Sequence, residues 1–89
     1  MIVDGVNVDV VEKEIVDANI LKVKAGTTGP KGGDSGHGCR VFFSIFDEAG
    51  TDMRISKFNS GFEVRMGGDS ELRTIIEALE FILDTLKKK

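Results

Sequence analysis

Leu72, Ile75, Ile76, Leu79, Ile82, Leu83 and Leu86 recur at three- and four-residue spacing near the end of the chain. On a helix that spacing draws one apolar stripe, so the pattern predicts an amphipathic helix over about 70–87. Asp69 or Ser70 is the expected N-cap, Glu71 follows in the first turn, and Gly67-Gly68 breaks whatever precedes it. Upstream the period changes to two. From Cys39 to Asp47 the odd positions Cys39, Val41, Phe43 and Ile45 share one face, and Arg40, Phe42, Ser44 and Phe46 share the other. Met53 and Ile55 alternate with Arg54 and Ser56, and Phe62, Val64 and Met66 alternate with Glu63 and Arg65. Asp47-Glu48-Ala49-Gly50 and Asn59-Ser60-Gly61 supply turns between these runs, which read as a three-stranded meander. A fourth strand runs from Asn19 to Ala25, with Leu21, Val23 and Ala25 on one side and Lys22 and Lys24 on the other.

The face bearing Val41, Phe43, Ile45, Met53, Ile55, Phe62, Val64 and Met66 is apolar enough to receive the helical stripe. The expected fold is therefore α+β: a small antiparallel sheet, a meander of about four strands, packed on one C-terminal amphipathic helix. The N-terminal stretch is ambiguous. Val6, Val8 and Val10 alternate as a strand does, while Asp9-Val10-Val11-Glu12 fits a capping box that would open a helix. The alternation favours a strand.

With 89 residues the chain has room for one hydrophobic core, and residues 1–89 are expected to form a single domain. Apolar residues at 40% and charged residues at 30% describe a globular protein and not a disordered one, despite eleven glycines. No apolar run approaches the ~20 residues of a membrane span. The opening Met-Ile-Val-Asp-Gly-Val lacks the basic and apolar regions of a signal peptide, so the expected location is the cytoplasm, with no membrane partner. One cysteine, Cys39, cannot form an internal disulfide, which agrees with a reducing compartment. The net charge of −3 and the scatter of the twelve basic residues disfavour nucleic acid as a partner. The terminal Lys87-Lys88-Lys89 is read as complementing the helix macrodipole.

The most unusual segment is Gly26-Thr27-Thr28-Gly29-Pro30-Lys31-Gly32-Gly33-Asp34-Ser35-Gly36-His37-Gly38, which links two strands and holds the only proline and histidine. Hairpin loops usually take two to five residues, and a longer loop in a compact domain is either functional or a mobile connector. Lys31, Arg40 and backbone amides freed by glycine would suit a small anion. Neither familiar phosphate-binding motif fits. The Walker spacing is absent, the segment leads into a strand instead of a helix, and Gly36-His37-Gly38 continues as Cys39-Arg40-Val41, which breaks the dinucleotide fingerprint.

Gly33-Asp34-Ser35-Gly36 resembles the sequence around the nucleophile of chymotrypsin-like proteases, and more loosely that of hydrolases named for Gly-Asp-Ser-Leu. That resemblance implies a nucleophilic Ser35. The chain departs from the protease pattern at His37, where a glycine is required, and is too short for the two barrels that assemble a triad. His37 and Cys39 would suit a thiolate–imidazolium pair if the strand extended backwards. Register with Val41, Phe43 and Ile45 instead predicts Cys39 as a small core residue. With two Cys or His residues in all, the chain falls short of the four ligands of a structural zinc site, which leaves only a zinc shared between subunits or one completed by the Asp34 carboxylate, and no metal is expected.

Phe42 and Phe46 lie on the sheet face turned away from the helix, and Phe81 lies opposite the centre of the helical stripe. Two aromatics on one sheet face suggest a cover: the N-terminal segment, a second copy of the chain or another protein. The run Ala25-Gly26-Thr27-Thr28-Gly29, with Gly32-Gly33-Asp34-Ser35-Gly36-His37-Gly38 and the helical Glu71-Leu72-Arg73-Thr74-Ile75-Ile76-Glu77-Ala78-Leu79, resembles small proteins of unassigned activity encoded by phages and prophages. The resemblance covers about two-thirds of the chain and implies an accessory or host-interaction role. The functional expectation is a non-enzymatic binding module, homo-oligomeric or engaging another protein, without cofactor. Lys31, Asp34, Ser35, His37 and Arg40 form its recognition surface, and Phe42 and Phe46 an interface. The alternative is a small-ligand, nucleotide or anion site with hydrolytic chemistry at Ser35, His37 and Cys39.

Overall fold

The computed structural model describes residues 1–88. Among the described residues, seven strands and one helix form an α+β fold with three small antiparallel sheets. Strands β1 (Ile2–Val3) and β2 (Val6–Asn7) make a tight hairpin. Asp4 and Gly5 at its tip both take positive φ, 47° and 82°, as a two-residue turn that follows the strand twist demands. The N-terminal alternation is indeed extended: β3 (Val10–Val16) pairs with β4 (Ile20–Thr27), and no helix opens at Asp9. Strand β4 also pairs with β5 (Val41–Ala49), so it is the central strand of a β3-β4-β5 sheet. Strands β6 (Met53–Lys57) and β7 (Phe62–Met66) pair only with each other. Helix α1 (Asp69–Lys87) closes the described chain, and among the described residues no helix is long and apolar enough to cross a membrane.

The core differs from the sequence expectation. Leu21, Val23 and Ala25 of β4, Ile15 of β3, and Ala78 and Ile82 of α1 are the buried apolar residues of its main cluster. Ile45, Ile75, Phe81 and Leu86 pack around them. Of the face expected to receive the helix, Val41, Phe43, Ile55, Phe62 and Val64 are exposed, and so are Leu72, Ile76, Leu79 and Leu83 of the stripe. The reason is steric as well as hydrophobic. Helix α1 lies over β4 and β3 and only touches β5, presenting the line Thr74, Ala78 and Ile82 to the sheet. Small side chains at Thr74 and Ala78 let the helix axis approach the sheet closely, against the apolar inward face of β4 formed by Leu21, Val23 and Ala25. The helix is thus turned by about 100°, one residue's angle, from the orientation its largest side chains suggest. That rotation brings Phe81 against the core instead of away from it, with Lys13 Nζ 6.0 Å from the centre of its ring.

The helix start also differs from expectation. Gly68, with φ 111°, occupies the N-cap position and makes no side-chain cap, a conformation natural to glycine. Ser70 is one residue inside the helix and turns its hydroxyl to the β3–β4 turn. Its Oγ accepts from Ala18 N–H at 3.1 Å and donates to Asn19 Oδ1 at 2.6 Å. Asn19, 1% exposed, donates through Nδ2 to Thr51 Oγ1 and Thr74 Oγ1, each at 3.0 Å. This buried polar knot fixes the helix N-terminus on the sheet while leaving its amide satisfied.

Outside the knot, Arg73 forms a two-pronged contact with Asp17, Nε to Oδ2 at 2.8 Å and Nη2 to Oδ1 at 3.2 Å. Arg73, followed by the Ala18 N–H, holds the Asp17 carboxyl well below the usual carboxylate range. A carboxylate depressed on folding contributes stability that is present above its unfolded pKa of about 4 and fades as pH falls towards the lower folded value. Arg73→Met should therefore melt a few degrees lower than wild type at neutral pH. Melting curves taken down to strongly acidic pH should converge as the carboxyl protonates in both proteins.

Candidate functional site

The glycine-rich segment forms a folded projection at the tip of the β4–β5 hairpin. Its base is closed by Thr28 N–H donating to Arg40 C=O at 3.2 Å, Arg40 N–H to Thr28 Oγ1 at 3.0 Å, and the Thr27 hydroxyl to Arg40 C=O at 2.7 Å. Asp34 organises the tip. Its Oδ1 accepts from Gly36 N–H at 3.1 Å, and its carbonyl accepts from the N–H groups of His37 and Gly38. The Arg40 guanidinium reaches back along the loop and donates from Nη1 to Gly38 C=O at 3.0 Å and from Nη2 to Gly36 C=O at 3.3 Å. Two glycines permit the fold to close on itself. A Cβ at Gly33 would stand 2.8 Å from the His37 carbonyl carbon, and one at Gly38 would stand 2.6 Å from Gly33 O.

Lys31, Asp34, Ser35 and His37 are exposed on this projection, while Arg40 is half-buried. The five expected site residues thus fall on one loop but divide by what they do there. Asp34 and Arg40 spend hydrogen bonds on holding the loop, and Lys31, Ser35 and His37 take no side-chain hydrogen bond among those that shape it. Cys39 is exposed and not a core residue: it precedes β5, and Val41 and Phe43, with which it was expected to share a buried face, are themselves exposed. Neither the His37 imidazole nor the Cys39 thiol enters the loop's hydrogen bonds. Among the described residues no group of three or more His, Cys, Asp or Glu side chains is placed to share a metal ion.

Phe42 and Phe46 occupy the sheet face away from the helix, Phe42 half-buried and Phe46 54% exposed. They share it with Glu12, Glu14, Lys22, Lys24 and Glu48. Lys22 Nζ sits 3.1 Å from Glu48 and 3.9 Å from Glu12, and Lys24 Nζ sits 3.7 Å from Glu12. The Glu48 hydrogen bond leads the causes that raise the Lys22 pKa, while Lys22 chiefly lowers that of Glu48. Glu14 lies beside Glu48 and is pushed up by its hydrogen bond and charge. Carboxylates outnumber lysines across this face.

A second surface has no counterpart among the expected site residues. A groove runs between α1, β5 and the β6–β7 hairpin, walled by Phe43, Ile45, Phe62, Val64, Ile75 and Leu79. Its lining is almost wholly apolar. Sequence reasoning placed these side chains in a closed core.

No family model, curated protein or solved structure matches the chain.

Proposed function

We propose that the chain is a non-enzymatic binding module of the accessory type, which recognises a partner protein through the glycine-rich loop. The observation that carries this reading is the division of labour within the loop. Inward hydrogen bonds from Asp34 and Arg40 fix its backbone, and Lys31, Ser35 and His37 remain outward and unspent. A loop held in this way loses less conformational entropy on binding than a slack connector of equal length, which favours recognition. Arg40 is committed to carbonyl oxygens, so the loop retains Lys31 as its outward cation, and a protein surface suits it better than a phosphate. The resemblance to small phage-encoded proteins agrees with a host-interaction role.

The test separates loop side chains from loop architecture. Lys31→Ala, Ser35→Ala and His37→Ala combined should shift the melting temperature by a few degrees at most, since exposed substitutions usually lie within about ±0.5 kcal/mol. Peptides selected from a displayed random library against the wild type should lose at least ~10-fold in affinity for the triple variant, a change of about 1.4 kcal/mol. Selected peptides that bind both proteins equally would remove the loop as recognition surface. Millimolar inorganic phosphate that perturbs the amide resonances of residues 31–38 would favour the anion reading instead.

A further inference from the structure

We infer that the apolar face of α1, with the groove beside it, is the interface of a two-fold homodimer in which the α1 helices of two copies pack antiparallel. The chain exposes 6017 Å². A folded monomer of 9.7 kDa is expected to expose about 5,100 Å², and the surplus of about 900 Å² is close to the about 800 Å² that each partner buries in a standard interface. The radius of gyration of 14.5 Å likewise exceeds the about 12 Å of a compact 89-residue domain. Leu72, Ile76, Leu79 and Leu83 of α1 are among the exposed apolar side chains, and Leu79 lines one groove with the exposed Phe43 and Phe62.

The spacing of the helical residues points to the occupant. Leu72, Ile76, Leu79 and Leu83 follow one another at intervals of four, three and four, the seam by which one helix packs into another. The centre of that seam, between Ile76 and Leu79, coincides with the middle of α1. A two-fold axis there superposes the seam on itself and makes the contact self-complementary, as an isologous dimer requires. Antiparallel pairing also sets the exposed Asp69 of the first turn near the partner's basic last turn at Lys87. Each copy then offers a ridge, its helix, and the adjoining groove between β5 and the β6–β7 hairpin. The interface shields the open edge of β5, nine residues long and rich in apolar side chains, which is an aggregation hazard when bare.

Sedimentation of the wild type from micromolar to millimolar concentration should give a particle of twice the chain mass. Leu79→Glu places like charges at the axis and should weaken the dimer by ~100-fold or more, while Leu79 exposure leaves the helical circular dichroism unchanged. Leu79→Lys should do the same. An equimolar mixture of the two variants should recover the dimer through opposite charges, a rescue that a purely structural role for Leu79 does not provide. A wild type that stays monomeric at millimolar concentration overturns the proposal, including the case where a foreign peptide alone fills the groove. A dimer that resists both Leu79 variants and dissociates with Phe42→Ser and Phe46→Ser also overturns it, placing the interface on the far face of the sheet.

Discussion

Leu21→Ala will destabilise the domain by about 3–4 kcal/mol, the range found when a leucine is removed from a site that cannot collapse. Leu21 is 0% exposed near the start of the central strand, paired to Ile15 on one side and Asp47 on the other. Main-chain hydrogen bonds to both neighbours hold β4 in place, so the surroundings cannot move in to fill the space. A domain of this size has only about 5–10 kcal/mol in reserve, and the variant will be partly unfolded well below the wild-type melting temperature. Urea titration should move the midpoint down with the slope unchanged. The same truncation at Leu79, 53% exposed, should cost the isolated chain about 1 kcal/mol or less. Equal losses at the two positions would mean that α1 buries the stripe its sequence advertises.

That contrast marks where the sequence is readable. Alternation and three-four spacing are local properties, and they located β4, β5, β6, β7 and α1 to within a few residues, because strand and helix periods survive whatever the tertiary partners are. Choosing which face goes inward depends on the partner. Leu72, Ile76, Leu79 and Leu83 outweigh Thr74 and Ala78 on any hydrophobic scale, yet the smaller pair lies against β4 because it permits closer contact. The N-cap was misplaced for a related reason: Ser70 has the chemistry of a cap, but a long-range bond to Asn19 uses its hydroxyl, and only the folded arrangement of the β3–β4 turn brings the two together. In the loop, composition marks the segment as unusual, while the assignment of Asp34 and Arg40 to architecture required knowing which carbonyls and amides turn inward.

Asn19→Ala should cost about 2–4 kcal/mol, a loss comparable to a core truncation although no apolar contact is removed. The amide is the hub of the knot: Oδ1 receives the Ser70 hydroxyl and Nδ2 supplies Thr51 and Thr74. Alanine would strip a partner from each of three hydroxyls, the buried Thr74 and the half-buried Thr51 and Ser70. Unsatisfied polar groups there retain their desolvation penalty without the bond that offset it. Thermal and urea denaturation measure the loss. Asn19→Asp gives a sharper diagnosis. Its carboxylate accepts from Ser70 but cannot donate to Thr51 or Thr74, and burial would raise the pKa of the introduced group above its unfolded value. The resulting destabilisation should be greatest above that raised pKa and shrink as pH falls and the carboxyl protonates. A variant equally unstable at all pH values would show that the hub acts by shape and not by its donors.

Gly33 and Gly38 meet backbone at distances no side chain can share, and Asp34 and Arg40 knit the intervening turn to the strand ends. The positions between and beside these anchors are therefore free to change without unmaking the turn. Randomising Lys31, Ser35 and His37 while keeping the two glycines, Asp34 and Arg40 should give a library in which most members fold. The tip would then serve as a rigid display site for selecting new binding specificities on a very small carrier.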